Sequence, residues 1–382
     1  MPKNLSLILS SAQAQQRVKA MNSGDGFAIN GRFLTQSVTG VQRYAINIVY
    51  ELNELLSEKN IVVPIFSPAN AKNLALSHIP LSQAGVWRGH PWEQLMLPSK
   101  WSGSLLNFCN TAPVAKTNQI LCIHDANVFL YPKSYGMIFR NAYRVSQPII
   151  AHRVAKVTTV STDAAKQIAV NLNLDLRNIE VIYNGHEHAL TWDSALARVG
   201  PTILEAHESY GRPFVLSIGS RAIHKNMSLI LKIAPKLAEL GVDIIIVGGD
   251  SGIFSEDKLS NQDNVQFSGR VSDHDLAYLM DRALCLLFPS WTEGFGLPIV
   301  ESMARGCPVI SSNRASMPEI CGQSALMADP DDCQTWIDHV GTLLERQGPR
   351  QDLIESGRVW VKKFSWKKSA AAYLDMMSSS GL

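Results

Sequence analysis

The stretch Pro289-Ser290-Trp291-Thr292-Glu293-Gly294-Phe295-Gly296-Leu297-Pro298-Ile299-Val300-Glu301-Ser302-Met303-Ala304-Arg305-Gly306-Cys307-Pro308-Val309-Ile310 decides the fold. A β-rich run from Cys285 reads as a strand ending at Pro289, and Pro308 to Ser311 reads as the next one. Between them Pro298 suits an early helical position and Gly306 closes the helix. Free amides in the glycine-rich turn and at the helix start can hold a diphosphate or a sugar hydroxyl. Glu293 and Glu301 bracket that amide cluster, and a carboxylate beside a ribose or hexose can accept hydrogen bonds from two hydroxyls. By spacing alone the ordinary reading is a turn residue and a solvated helix residue.

The same alternation extends in both directions. Phe214 to Ile218, Asp243 to Val247, Val265 to Ser268 and Ala325 to Ala328 read as further strands, with an apolar-periodic helix from Met227 to Leu240. The first half repeats the style at Phe27 to Asn30, Val62 to Phe66, Leu105 to Phe108, Ile120 to Ile123, Val157 to Val160 and Ile179 to Tyr183. Its best helix is Val41 to Leu56. Between the halves, His186 to Arg212 shows no strong period, so the domain boundary is expected there. The fold class is α/β, with two Rossmann-like doubly wound domains whose strand ends face a cleft.

Composition narrows the function. A chain of 382 residues suggests about two domains, and 46% hydrophobic residues exclude intrinsic disorder. The near balance of 35 Lys+Arg and 33 Asp+Glu argues against a nucleic-acid partner. Six cysteines without a C-x-x-C pair read as reduced thiols in the cytoplasm, with no zinc site. The apolar runs fall far short of a membrane span, and the first twenty residues imitate a signal peptide only faintly.

Four other segments carry candidate chemistry. Gly219-Ser220-Arg221-Ala222-Ile223-His224-Lys225-Asn226 follows a strand, and its basic residues can neutralise a diphosphate leaving group or form a basic surface loop. Near the start, Thr39-Gly40-Val41-Gln42-Arg43-Tyr44 enters a helix, where Gly40 lets a ligand approach the helix N-terminus. Cys122-Ile123-His124-Asp125 ends a strand directed at the cleft; such a pair is commonly structural. Tyr135 to Lys156 is basic and aromatic, and suits an anionic membrane surface or, as the favoured reading given Pro148, a helix packed on its own domain.

Taken together these segments resemble the family 4 glycosyltransferases, retaining enzymes of GT-B fold, from about residue 26 to the end. The resemblance implies donor binding by the order Glu, Phe-Gly, Pro, Glu, Ala, Gly, Pro-Val. It also implies an N-terminal acceptor domain over 1–195, completed by about 366–382, and a C-terminal nucleotide-sugar domain over 205–365. Catalytic roles pass to His124, Arg221, Lys225 and Glu293. Donor binding passes to Gly40, Gly219, Ser220, Gly269, Arg270, Val271, Gly294, Phe295, Gly296, Leu297 and Glu301. Many relatives carry an Arg at His224, and Arg221 sits in a different register from their phosphate-binding Arg. Trp92-Glu93-Gln94 and Phe364-Ser365-Trp366 are further matches, while Tyr183-Asn184-Gly185 reads as structural.

The expected activity is transfer of a hexose from a nucleoside-diphosphate sugar to a glycan or lipid-linked glycan acceptor. Similarity to bacterial polysaccharide mannosyl- and rhamnosyltransferases puts GDP-mannose first, ahead of dTDP-rhamnose or a UDP-hexose. No cofactor or metal is expected, since no D-x-D pair sits where a donor needs it. The expected location is the cytoplasm, with peripheral contact at the inner membrane left open. An NAD-dependent oxidoreductase lacks its G-x-G-x-x-G here. A nucleotide-sugar epimerase and a catalytically inactive partner subunit remain the alternatives.

Overall fold

The computed structural model describes residues 26–208, 212–220, 222–248 and 263–379. Arg221 and the leader before residue 26 lie outside the described residues. Among the described residues thirteen strands form two wholly parallel sheets. The first contains β1 (Phe27–Asn30), β2 (Ile65–Ser67), β3 (Leu81–Gln83), β4 (Ser104–Asn107), β5 (Gln119–Cys122), β6 (Lys156–Thr159) and β7 (Ile179–Val181), in the order β3-β2-β1-β4-β5-β6-β7. The second contains β8 (Phe214–Ile218), β9 (Asp243–Val247), β10 (Val265–Gly269), β11 (Cys285–Phe288), β12 (Val309–Ser312) and β13 (Leu326–Ala328), in the order β10-β9-β8-β11-β12-β13. Both orders reverse beside their first strand, between β1 and β4 and between β8 and β11. Open α/β sheets bind ligands at such a reversal, outside the carboxyl ends of the strands.

The main helices are α1 (Gly40–Glu58), α2 (Met137–Arg153), α3 (Thr162–Leu172), α4 (Val199–Glu208), α5 (Met227–Glu239), α6 (Asp273–Met280), α7 (Leu297–Arg305), α8 (Met317–Cys321), α9 (Cys333–Glu345), α10 (Gln347–Trp360) and α11 (Trp366–Ser379). Helix α11 returns to pack along α1, and its buried Tyr373 hydroxyl lies 2.9 Å from that of Tyr44 and 2.8 Å from Thr158 Oγ1. The largest apolar cluster runs from β1 through α1 and α11 to the inner residues of β8 and β11. One core therefore spans both sheets.

Three sequence expectations change. The segment assigned to an aperiodic boundary contains α4, held by a carboxylate distant in sequence. Asp275 Oδ1 accepts the amides of Arg198, Val199 and Gly200 at 2.7, 2.8 and 2.9 Å. Strand β3 was not expected, because Leu81-Ser82-Gln83 is too short and polar for a periodicity to stand out. Pro148 does not divide its segment: α2 continues through it to Arg153, so the lost amide costs one hydrogen bond without ending the helix.

Burial raises the Asp275 carboxyl, but the amides of Gly200, Arg198 and Val199 and the Ser272 hydroxyl outweigh it and bring the pKa to about 2. The unfolded carboxyl titrates near 3.8, so this stabilisation is complete above about pH 4 and fades as pH falls toward 2. Asp275→Ala is expected to cost roughly 2 kcal/mol at neutral pH. Urea unfolding of the two proteins should show that gap narrowing on acidification.

Candidate active site

The second sheet's reversal is flanked by the two loops expected to hold the donor. Strand β8 ends at Ile218 and leads through Gly219 and Ser220 to a short 3-10 turn, Ile223–Lys225. Strand β11 ends at Phe288 and leads into the glycine-rich turn before α7. The Trp291 amide donates to the His224 carbonyl at 2.7 Å and joins the loops. Gly219 packs under the Met227 side chain, and Gly248, at φ +107°, has room for no Cβ against the Gly219 carbonyl.

Lys225 and Glu293 meet across these loops. Lys225 Nζ donates to Glu293 Oε1 at 2.6 Å, and Ser290 Oγ donates to the same oxygen at 2.7 Å. The ammonium also lies 5.8 Å from the Phe288 ring centroid. His224 is buried beside them, and burial lowers its pKa below the ordinary value. Its imidazole is therefore uncharged at neutral pH. Asp125 approaches from the first domain, and burial raises its carboxyl.

The first domain closes directly on this turn. A Cβ on Gly294 would overlap the His124 carbonyl oxygen, while Ser161 Oγ donates to the Gly294 carbonyl at 2.6 Å. A Cβ on Gly40 would sit 3.6 Å from Leu297 Cδ1, which sets the start of α1 against the start of α7. Gly296 stands in the left-handed region at φ +99° and forms the N-cap of α7. Phe295 is buried and meets Phe364 edge-on. The His124 ring turns inward: Nε2 lies 2.8 Å from the Phe108 carbonyl, and the ring packs edge-on against Tyr44.

Glu301 is buried inside α7 rather than solvated. Its Oε1 accepts from His188 Nε2 at 2.9 Å and lies 3.7 Å from Arg43 Nε. Trp366 Nε1 donates to His188 Nδ1 at 2.9 Å, which fixes the tautomer with its proton on Nε2. Arg43 also forms a bidentate pair with Asp273 at 2.6 and 2.9 Å and lies 5.1 Å over Trp192. Sequence reading assigned no role to Arg43 and missed His188 altogether, because their charged partners lie more than one hundred residues away. A basic residue in the first turn of α1 was the available signal for Arg43.

Gly269, Arg270 and Val271 form a separate corner. Gly269 has φ +66° at a register shift in β10, and its carbonyl accepts from the Gly248 amide at 2.8 Å. Arg270 is exposed and Val271 is half-buried against the core. The turn at Tyr183-Asn184-Gly185 is structural in the plainest sense, since a Cβ on Gly185 would overlap the Trp366 backbone.

Two Rossmann-like domains closing on a basic loop and a carboxylate-flanked turn have the architecture of the GT-B fold. Residues 202–360 match the family described as Glycosyl transferases group 1. An O-antigen chain mannosyltransferase of Salmonella typhimurium is 26% identical over 328 residues, 81% of this chain and 88% of the relative. O-antigen chain mannosyltransferase B of Escherichia coli is 40% identical over 103 residues, 27% of either chain. Sucrose-phosphate synthase from Thermosynechococcus elongatus shares the fold at TM-score 0.69 and 16% identity, over 93% of this chain and 98% of that one.

Gly294→Ala is expected to push the domains apart at His124. Small-angle scattering should report a larger radius of gyration with helix content unchanged by circular dichroism; an unaltered radius would show that the contact does not set the closure.

Proposed function

We propose that the chain transfers mannose from GDP-mannose, with retention at the anomeric carbon, to a growing lipid-linked bacterial glycan such as O-antigen. The observation that carries this reading is the Lys225–Glu293 pair at the mouth of the β8–β11 reversal, the place where a doubly wound sheet receives a ligand. The mannosyltransferase names of the Salmonella and Escherichia coli relatives support the sugar.

In this reading the donor diphosphate displaces Glu293 from Lys225, and the ammonium with the amides at Gly296 and Leu297 stabilises the departing phosphate. Glu293 is then free to hold the transferred sugar. The acceptor hydroxyl attacks from the side the diphosphate leaves, and a phosphate oxygen takes its proton. Arg221 assists the phosphate, His124 borders the donor turn through its backbone carbonyl while its ring turns inward, and Glu301 holds the ribose. Lys225 supplies the charge, so the reaction proceeds without a metal, and EDTA should leave the rate unchanged.

Lys225→Ala is expected to lower turnover by about 10²–10³ while the fold is kept; near wild-type turnover overturns the role. Glu301→Ala should weaken GDP binding by about tenfold with a smaller effect on turnover. A thermal-shift panel of GDP, UDP and dTDP reads the donor directly, since a ligand that prefers the native state raises its melting temperature. Stabilisation by UDP or dTDP alone would replace GDP.

The acceptor's lipid end points to peripheral membrane contact. Helix α2 exposes Met137, Ile138 and Val145 at 68, 89 and 64%, and no acidic residue occurs between Asp125 and Asp163. Among the described residues no helix is long and apolar enough to cross a membrane. An apolar, basic face of this kind lies on an anionic bilayer. Ile138→Asp should reduce the fraction bound to vesicles containing anionic lipid; unchanged co-sedimentation would remove α2 from the contact.

A further inference from the structure

A second face of α2 carries a row of rings that leads from one sheet reversal to the other. Phe139 and Tyr143 stack at 4.1 Å between centroids, and Tyr135 stacks on Phe139 at 5.7 Å. The row continues at one end to His224, 6.5 Å from Tyr135 and parallel to within 19°. At the other end His90 meets Tyr143 edge-on at 5.9 Å. Phe139 is 43% exposed, and Tyr135 and Tyr143 are half-buried.

Both ends of the row stand at sites of concentrated polarity. Ser134 Oγ lies 3.3 Å from His224 Nδ1, and the adjacent Tyr135 ring lies parallel to the imidazole, which sets the start of the row beside the donor loops. Tyr143 meets His90, whose Nδ1 lies 3.3 Å from Glu93 Oε2 in a buried cluster at the carboxyl ends of β1 and β4, the first domain's own reversal. There Glu93 accepts from Asn30 Nδ2 at 2.8 Å, from Arg32 Nε at 3.1 Å and from the Thr111 hydroxyl at 2.9 Å. Burial would raise this carboxyl, but the His90 contact, Arg32 and Asn30 together hold it below the usual range. The cluster fixes the far end of the row rigidly.

We propose that this aromatic row is the acceptor track, a wall on which successive pyranose rings of the glycan lie as its end enters the donor site. Stacked on one another, the rings leave an apolar strip along the row, against which the C–H face of a sugar packs by dispersion and burial of apolar surface. A row of several rings suits an extended chain better than one monosaccharide. Its start beside Glu293 and His224 delivers the terminal hydroxyl to the transferred sugar. The track rests on the glycosyltransferase reading, and it is separate from the bilayer face because Ile138 and Val145 project from another side of the same helix.

The test is calorimetric titration of the full chain with α-linked mannose oligosaccharides of increasing length, without nucleotide. The wild type should bind longer chains more tightly. Phe139→Ala should weaken the longest by about tenfold and flatten the length dependence, Phe139→Trp should restore both, and GDP affinity should stay unchanged in each. Absence of oligosaccharide binding by the wild type, or equal binding by folded Phe139→Ala, overturns the track. A lost GDP response with glycan binding intact overturns the donor reading instead and leaves the track standing.

Discussion

The approach of two backbones at Gly294 governs the rest of this molecule. The His124 carbonyl occupies the space where any other residue would carry a Cβ, and Ser161 reaches across to the Gly294 carbonyl. A glycine here lets two separately wound sheets share one cleft at van der Waals distance. Nearby, Glu319 of α8 accepts the Thr162 amide and hydroxyl at 3.0 and 2.8 Å and the Tyr183 hydroxyl at 2.7 Å. A carboxylate from one domain thus satisfies orphan amides at the start of a helix in the other.

Closure also brings the site's charges into mutual compensation. Lys225 faces Glu293, while Arg43 bridges Asp273 and Glu301 from the opposite domain. A buried charge is costly without a partner. In the proposed reaction an arriving diphosphate exchanges partners with a carboxylate, so its binding energy is the difference between the two pairings. Since Arg43 belongs to the first domain and Glu301 to the second, the Glu301 carboxylate is part of the domain contact as well as of the candidate site.

Most of the architecture was legible because parallel strands buried on both faces read as short apolar runs. Eleven of those runs mark observed strands closely, and β2 begins three residues later than expected because Pro64 has no amide for the ladder. Helix α4 was illegible because its N-terminus is secured by Asp275, a partner that no local pattern contains. Within the candidate site, the places of Glu293, Lys225 and Gly40 at strand ends and a helix start were legible, while the roles expected of them came only from the family resemblance. His188 was not, since its meaning depends on Trp366 and Glu301 arriving from distant elements. The string Trp92-Glu93-Gln94 was noticed without a role, because a buried carboxylate and a solvated one look alike until Asn30, Arg32 and Thr111 surround it.

The return of α11 onto α1 sets an order for folding during synthesis. Tyr373 supplies the hydroxyl that joins Tyr44 to Thr158 inside the first domain, yet it leaves the ribosome after every strand of the second. The second sheet can assemble from contacts local to its own half as it emerges. The first must wait with part of its apolar face uncovered, a period in which such surface invites aggregation or chaperone capture. The domain begun first is thus the one finished last, and its maturation is coupled to translation of the final helix.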